Sequence, residues 1–195
     1  MQPPHPPPGD LRRARFERLY DETSAKVLGY ALRRVAAREN AADVVAETFT
    51  IAWRRLEDIP DGDQARLWLY GVARRVLANQ RRGHARQVRL GQRLRDEVAG
   101  ALAAVPHEPA EGAVPAALAR LSEADREVLR LAAWEELGHE QIASVLGCSK
   151  AAARVRLHRA RKRFAARLAE ARMGTGTAPL PPAWAGANQD RRRAL

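Results

Sequence analysis

The sequence predicts an all-α fold of two small helical domains joined by a flexible linker. Apolar residues recur at spacings of three and four along most of the chain, as in amphipathic helices. The 195 residues suffice for two small cores. A stretch rich in Arg, Ala, Pro, Gly and Glu separates the two periodic halves. The predicted boundaries are a disordered proline-rich N-terminus (1–9), a first domain (10–86), a linker (87–112), a second domain (113–172) and a disordered tail (173–195).

The first predicted helix begins near Asp10 and continues through Val35. Its apolar stripe comprises Phe16, Leu19, Tyr20, Val27, Leu28, Ala31 and Val35. Outside that stripe lie Arg12, Arg13, Arg33 and Arg34. This pattern indicates a helix packed on one side only.

A second helix is predicted to follow Asn40, whose side chain can cap the free backbone donors at its start. Its expected buried positions are Val45, Phe49, Ala52, Trp53 and Leu56. Asp43 and Glu47 are four residues apart and therefore share a face. Paired acids on a helix are usually only solvated, so these residues alone do not predict a function.

The residues Pro60 to Gly62 end the second helix, and Asp63 is expected to cap a third one. That helix is predicted from about Gln64 to Gly83. Its expected buried positions are Ala65, Trp68, Leu69, Val72, Ala73 and Val76. Its end is rich in Arg and amide side chains and forms one basic surface. Trp68 at this spacing is more typical of core, whereas Tyr70 can stack on an unpaired base.

The linker of residues 87–112 has weak periodicity and two prolines, with room for a short helix around Leu90 to Leu102. The second domain then opens with Val114 to Leu121. Ser122 with Asp125 three residues later is a variant of the capping box. The expected core positions that follow are Val128, Leu129, Leu131, Ala132 and Trp134.

The stretch from Gly138 to Leu168 predicts a helix-turn-helix that ends in a long basic helix. Ile142, Ala143, Val145 and Leu146 give its first helix a buried face, and Gly147 supplies the tight turn. The second helix begins near Lys150. Its core stripe comprises Ala153, Leu157, Ala160, Phe164 and Leu168.

The opposite face of that basic helix has the composition of a DNA-recognition helix. It carries Ala151, Ala152, Val155, His158, Arg159, Lys162 and Arg163. Small residues near the start let the backbone enter the major groove, and Arg and Lys reach bases and phosphates. No Asp or Glu occurs from Ser149 to Leu168. A merely solvated basic face is the alternative, but the missing acids and the preceding turn favour DNA.

The composition excludes further classes of function. A net charge of +11 and an isoelectric point near 11.1 favour a polyanionic partner, here nucleic acid. No apolar run is long enough for membrane insertion and no signal peptide is present, so a cytoplasmic location is expected. The single Cys148 and the scattered histidines give no metal site. No catalytic set, cofactor motif or small-molecule substrate site is found, and no enzyme is expected.

Three stretches resemble bacterial sigma factors. AADVVAETFTIAWRRL is similar to region 2, and WLYGVARRVLANQRR is similar to the part that melts and reads the minus-ten element. ALARLSEADREVLRLAAWEELGHEQIASVLGCSKAAARVRLHRARKRF is similar to region 4. With these two regions alone, the chain resembles the extracytoplasmic-function group of the sigma-70 family. The resemblance spans about Phe16 to Arg86 and Ala116 to Leu168.

The resemblance implies a sigma factor that binds core RNA polymerase and directs it to promoters. Region 2 would dock on the beta-prime clamp helices through Asp43, Val44, Val45, Glu47, Thr48 and Phe49, and the beta flap is a further expected contact. Melted minus-ten DNA would meet Arg74, Arg75, Asn79, Arg81 and Arg82. Double-stranded minus-thirty-five DNA would meet Arg154, Val155, His158, Arg159, Lys162 and Arg163. The resemblance also raises an anti-sigma factor as a partner.

Two positions depart from the family pattern. Ala46 stands where many members have Gln, and Arg75 aligns with an Asn of the minus-ten reading loop. Two other functions remain open at this point. An autonomous helix-turn-helix regulator would bind operators without polymerase, and an RNA-binding adaptor would prefer single strands without promoter sequence.

Overall fold

The structure, a computed structural model, describes residues 8–97 and 112–174. These residues form seven α-helices and one 3-10 turn, and the described part contains no β-strand. Within it no helix combines the length and the apolar character that crossing a membrane would require. The predicted all-α class is therefore confirmed.

The first domain consists of three helices and a short turn. The helices are α1 (Pro8–Leu32), α2 (Glu39–Arg54) and α3 (Asp63–Glu97), with a 3-10 turn at Leu56–Asp58. Apolar side chains of α1, α2 and α3 meet in one core that includes Val27, Val44, Phe49, Leu69 and Val76. Gly62 has a φ of 63° before α3, where a residue without a Cβ is the natural choice.

Two predicted boundaries in this domain are wrong. The helix α2 begins one residue before Asn40, and Arg38 occupies the N-cap without a side-chain bond, so Asn40 does not cap it. The helix α3 continues to Glu97, well into the predicted linker. Straight-chain residues such as Gln87 and Arg89 favour helix, and this propensity offsets the weak apolar periodicity. The rest of the linker and both predicted disordered ends lie outside the described residues, except for a few helical residues at their margins.

The second domain packs the long last helix against three short ones. They are α4 (Ala113–Ala119), α5 (Glu123–Ala133), α6 (His139–Leu146) and α7 (Lys150–Gly174). The Ser122 hydroxyl accepts from the Asp125 backbone N–H at 3.2 Å, which confirms the predicted cap. Gly147 has a φ of 63° between α6 and α7, as the predicted turn requires. Ala153, Leu157 and Ala160 of α7 are buried as expected.

Four aromatic or aliphatic residues predicted as core are exposed instead. Tyr20, Leu28, Trp53 and Trp134 keep between 40% and 49% of their surface. Tyr20 and Trp53 belong to an aromatic group with the half-buried Phe16 and the buried Phe49 where α1 packs on α2. A 3.6-residue period identifies a helix face but does not tell how far its edges are covered.

The two domains also pack against each other, which the sequence did not predict. The helices α3 and α6 are in contact, and the buried side chains of both domains form one continuous apolar cluster. A Cβ added to Gly71 of α3 would stand 3.6 Å from the carbonyl oxygen of Val145 in α6. The described chain is therefore a single packed body in which α3, one of the two DNA-reading candidates, has neighbours from the other domain.

Candidate nucleic-acid interfaces

The outer face of α7 is an open basic surface. Arg154, Val155, His158, Arg159 and Lys162 are all exposed. The Ser149 hydroxyl accepts from the Ala152 N–H at 3.2 Å and helps start the helix just after the turn. The opposite stripe is buried against α4, α5 and α6, so packing fixes the direction of the exposed side chains.

Arg163 belongs to a different environment from its neighbours on α7. Its guanidinium binds the Asp125 carboxylate through two bonds of 2.8 Å and 2.6 Å. The Arg163 hydrogen bond holds the pKa of Asp125 below its ordinary value, and the Ser122 hydroxyl also favours the ionised form. In this structure Arg163 ties α7 to α5, so its predicted phosphate contact conflicts with a partner it already has.

The predicted minus-ten residues of α3 divide into two groups. Arg75, Asn79 and Arg82 are exposed, and the Asn79 carbonyl accepts from the Arg82 guanidinium. Arg74 is half-buried, and Arg81 forms an ion pair with Glu123 of the second domain. Only the first group faces solvent without a partner from the other domain.

Tyr70 is buried and does not lie on the basic surface. It is 2% exposed and stacks on Tyr30 with 4.7 Å between the ring centroids. The prediction that Tyr70 stacks on an unpaired base therefore does not fit this structure. Trp68 is half-buried next to Arg55, whose guanidinium lies 5.9 Å from the ring centroid.

The α2 face holds the predicted polymerase-docking residues in two layers. Asp43 and Glu47 are exposed, and Val45 is half-buried. Val44, Thr48 and Phe49 lie in the core, where the Thr48 hydroxyl donates to the Val44 carbonyl at 2.6 Å. Their predicted direct contact with a partner therefore does not fit this structure, because packing already encloses them.

An interdomain ion-pair cluster lies between the second domain and the end of α1, together with the turn that follows α1. Arg34 donates to Glu127 at 2.8 Å and to Glu135 at 2.9 Å. Tyr30 donates to Glu127 at 2.7 Å, and Arg33 donates to Glu135 at 2.7 Å. The side chains of Arg34 and Glu135 are only 1% and 2% exposed.

Sequence reasoning missed this cluster. Arg34 was predicted to lie outside the apolar stripe of α1, and Tyr30 was not assigned. Burial raises the pKa of the Tyr30 hydroxyl well above its ordinary value, so it stays protonated and donates to Glu127. The only signal in the sequence was the unusual density of acids from Glu123 to Glu136 in a basic chain.

The described residues contain no group of His, Cys, Asp or Glu arranged to hold a metal ion. Cys148 is a half-buried free cysteine in the helix-turn-helix turn, as expected for a small apolar residue there.

Comparison with known families matches both halves of the chain. Residues 19–87 match the model of sigma-70 region 2, and residues 111–164 match the model of sigma-70 region 4. These spans correspond to the domain of α1 to α3 and the domain of α4 to α7. They also contain all the interface residues described above.

Curated relatives are sigma factors. One is the ECF RNA polymerase sigma factor SigL of Mycobacterium tuberculosis, 34% identical over 150 residues that cover 72% of this chain and 81% of the relative. Another is the RNA polymerase sigma factor YlaC of Bacillus subtilis, 27% identical over 154 residues that cover 76% of this chain and 89% of the relative.

Two solved structures share the fold. One is the sigma factor RpoE of Bartonella quintana in complex with the anti-sigma factor NepR, with a TM-score of 0.60 and 24% identity. It aligns with 79% of this chain and 96% of its own. The other is CnrH in complex with the cytosolic domain of CnrY, with a TM-score of 0.55 and 24% identity over 80% of this chain and 88% of its own.

Proposed function

Because this chain belongs to the extracytoplasmic-function group of sigma-70 RNA polymerase sigma factors, we propose that α3 and α7 divide promoter recognition between them. As a sigma factor the chain binds core RNA polymerase and directs it to promoter DNA. The proposal concerns which side chains do this. The observation that carries it is the exposed basic face of α7, held in place by a buried stripe directly after the helix-turn-helix turn.

The α7 face would read the minus-thirty-five element in the major groove. Arg159 can bind the two acceptors of a guanine edge, and Val155 can contact a thymine methyl. Arg154 and Lys162 would hold phosphates, which sets the orientation without reading sequence. His158 lies between Arg154 and Lys162 on the exposed side of the helix.

The exposed end of α3 would bind the melted minus-ten strand. Arg75, Asn79 and Arg82 offer guanidinium and amide groups without a partner from the second domain. Arg74 and Arg81 would join them only after the second domain moves away, because both line a cavity together with Glu123 of that domain. Asn79 would supply the neutral hydrogen-bonding group that Arg75 lacks.

The α2 surface would dock on core polymerase at the beta-prime clamp helices. Asp43 and Glu47 supply negative charge, and Val45 with Ala46 supplies apolar contact. Val44, Thr48 and Phe49 would contribute indirectly, because their burial in the core holds α2 in place. The second domain would approach the beta flap, where its exposed Trp134 is a suitable apolar contact.

The cellular location, the source of catalysis and one further partner are also proposed from the family. A sigma factor acts where RNA polymerase acts, so the chain would work in the cytoplasm, and the catalysis would belong to the polymerase. The solved structure of RpoE contains the anti-sigma factor NepR, and that of CnrH contains the cytosolic domain of CnrY. We expect an anti-sigma factor to bind this chain too.

Transcription with purified core polymerase tests the proposed function. A library of promoters with randomised minus-ten and minus-thirty-five elements is transcribed with and without the chain, and the transcripts are sequenced. Enrichment of one two-part promoter class, only when both components are present, is the expected result. A gel shift on the enriched promoters then tests whether binding requires core polymerase. Tight binding by the chain without core polymerase would favour the autonomous regulator instead.

A further inference from the structure

A cavity of about 290 Å³ lies where residues of α1, α3, α5, α6 and α7 meet. Its apolar walls include Leu77 and Ala78 of α3 and Leu146 of α6. Its charged lining consists of four arginines and two glutamates, which are Arg34, Arg74, Arg81, Arg156, Glu123 and Glu127. Because this volume is close to the lower end of the range of ligand pockets in proteins, the cavity has room for one small molecule.

Both carboxylates of the cavity already have cationic or hydrogen-bonding partners. Glu123 forms ion pairs with three guanidiniums, one from α3 and two from its own helix. Glu127 accepts hydrogen bonds from Arg34 and from the Tyr30 hydroxyl. Burial and, after it, the positive charge of Arg34 lower the pKa of Arg130 in α5. The cations around the cavity therefore outnumber the carboxylates that can pair with them.

Two arginines of the cavity, Arg74 and Arg156, have no ionic or hydrogen-bonding partner among the residues that the structure describes. Arg156 is exposed, whereas Arg74 is half-buried and its Nε is buried without an acceptor. The Arg34 side chain is 1% exposed, and its Nη2 likewise has no acceptor in the described part of the chain. Buried N–H groups without an acceptor are costly. Three guanidiniums therefore have donors available to an anion that enters the cavity.

We propose that this cavity binds a small organic dianion, namely a phosphate monoester or a dicarboxylate on a compact apolar body. Guanidiniums bind phosphate and carboxylate oxygens through paired N–H donors, and two unpartnered arginines match two negative charges. Leu77, Ala78 and Leu146 contact the apolar body. The site goes beyond the promoter-binding role of α3 and α7 and does not depend on it.

Isothermal titration calorimetry of the full chain measures the binding of two probes, phenyl phosphate and phthalate. The titrations are done at about 150 mM salt, which screens attraction between distant surface charges. We expect a single submillimolar site for at least one probe, and the tighter probe identifies the anionic group. Benzyl alcohol lacks the charge and inorganic phosphate lacks the apolar body, so both should bind at least about tenfold more weakly. Binding of neither probe, or equally tight binding of inorganic phosphate, would overturn the proposed ligand class.

A pair of charge variants tests the two unpartnered arginines. Arg74→Gln with Arg156→Gln should weaken binding of the tighter probe about tenfold or more, because two charge-assisted contacts are lost. The matched control, Arg75→Gln with Arg161→Gln, removes the same charge from exposed sites of the same two helices outside the cavity. We expect the control to bind the probe as the parent does. Equal losses in both variants would indicate diffuse attraction to a basic surface and overturn the site.

Filling the cavity tests the location of the site without a change of charge. Ala78→Leu adds bulk from α3 and Ala124→Leu adds it from α5, and Leu keeps the helix propensity high. We expect both variants to weaken binding of the tighter probe, whereas Ala165→Leu on an exposed site of α7 leaves it unchanged.

Circular dichroism establishes which variants keep their helix content, so that one filling variant serves if the other does not fold. Unchanged binding in a folded filling variant would overturn the assignment to this cavity. All these titrations use the chain alone. If the probe binds as expected but core-dependent transcription is absent, the proposed function fails and the anion site stands.

Discussion

Asp125 connects two helices of the second domain at a single carboxylate. It receives two bonds from Arg163 of α7 and one from the Ser122 hydroxyl at the start of α5. All three favour the ionised carboxylate. Removing the Asp125 carboxylate therefore weakens the connection between α5 and α7, although Asp125 does not belong to the predicted apolar stripe of either helix.

Acid is expected to weaken this connection. The pKa of Asp125 is lowered in the folded chain, so its stabilising contribution is complete above its ordinary value near 3.8 and disappears as pH falls through the lower folded value. Urea unfolding at pH 7 and pH 3 measures the effect. Asp125→Asn should lower the free energy of unfolding at pH 7 and reduce its pH dependence. An unchanged pH dependence would remove Asp125 from this role.

Asp43 and Glu47 give a second prediction at the scale of single residues. Reversing both charges, Asp43→Lys with Glu47→Lys, should weaken core-polymerase binding about tenfold or more. The acidic face of α2 would then become basic and repel the partner charges that it is proposed to attract. The matched control is Asp21→Lys with Glu22→Lys on the exposed side of α1. Pull-down of core polymerase measures binding. Wild-type recovery of the double variant would exclude α2 as the docking surface.

At the scale of the element, α7 presents two kinds of cation. Arg159→Ala should cost about 1–3 kcal/mol of binding at the upstream element and relax one base preference. Lys162→Ala should weaken matched and scrambled elements alike, since a phosphate contact reads no sequence. The two roles are separated by measuring the affinity of polymerase carrying the chain for the matched element and for the scrambled element. Equal losses for Arg159→Ala on both elements would assign it to phosphate.

The exposed Arg75 gives the corresponding test for α3. A guanidinium only donates hydrogen bonds, so it favours a base with acceptors, guanine above all, or else a phosphate. A randomised minus-ten library is transcribed with the parent and with Arg75→Asn. A changed preference at one position indicates base contact, and a uniform loss that grows with salt indicates phosphate contact. No change in either would place Arg75 outside the site.

The elements themselves follow closely from local sequence. Ser122, Gly138, Gly147 and Lys150 mark helix ends through caps and a left-handed turn, which are interactions within a few residues. The end of α3 was placed too early because apolar periodicity fades there while helix propensity does not. Trp53 and Trp134 were assigned to the core because periodicity identifies a face but not its outer edge.

At the scale of the whole molecule, the sequence could not predict how the domains meet. Arg34 lies in the turn after α1 and Glu127 lies in α5, 93 residues away, and neither belongs to a predicted apolar stripe. Their burial depends on the other domain, and no periodicity within one helix reports that. For the same reason the sequence predicted two separate DNA surfaces and missed that Arg74 and Arg81 adjoin the second domain.

Shared packing should make unfolding cooperative across both domains. The apolar cluster is continuous from α1 to α7, so the parent is expected to show one calorimetric transition. Glu127→Gln with Glu135→Gln should split it into two, one for each domain. Differential scanning calorimetry measures this, with Glu136→Gln/Glu140→Gln as the control. Two transitions already in the parent would show that the domains unfold independently.

The covalent connection between α3 and α4 determines how strong the interdomain contact must be. A short tether gives the two partners an effective concentration of order millimolar, at which an association free energy of about −4 kcal/mol is already half-saturating. Arg34 can therefore meet Glu127 and Glu135 in one chain, although the same two domains as separate molecules would stay apart at micromolar concentration. A partner that held the two domains at separate places would cancel that advantage by geometry alone.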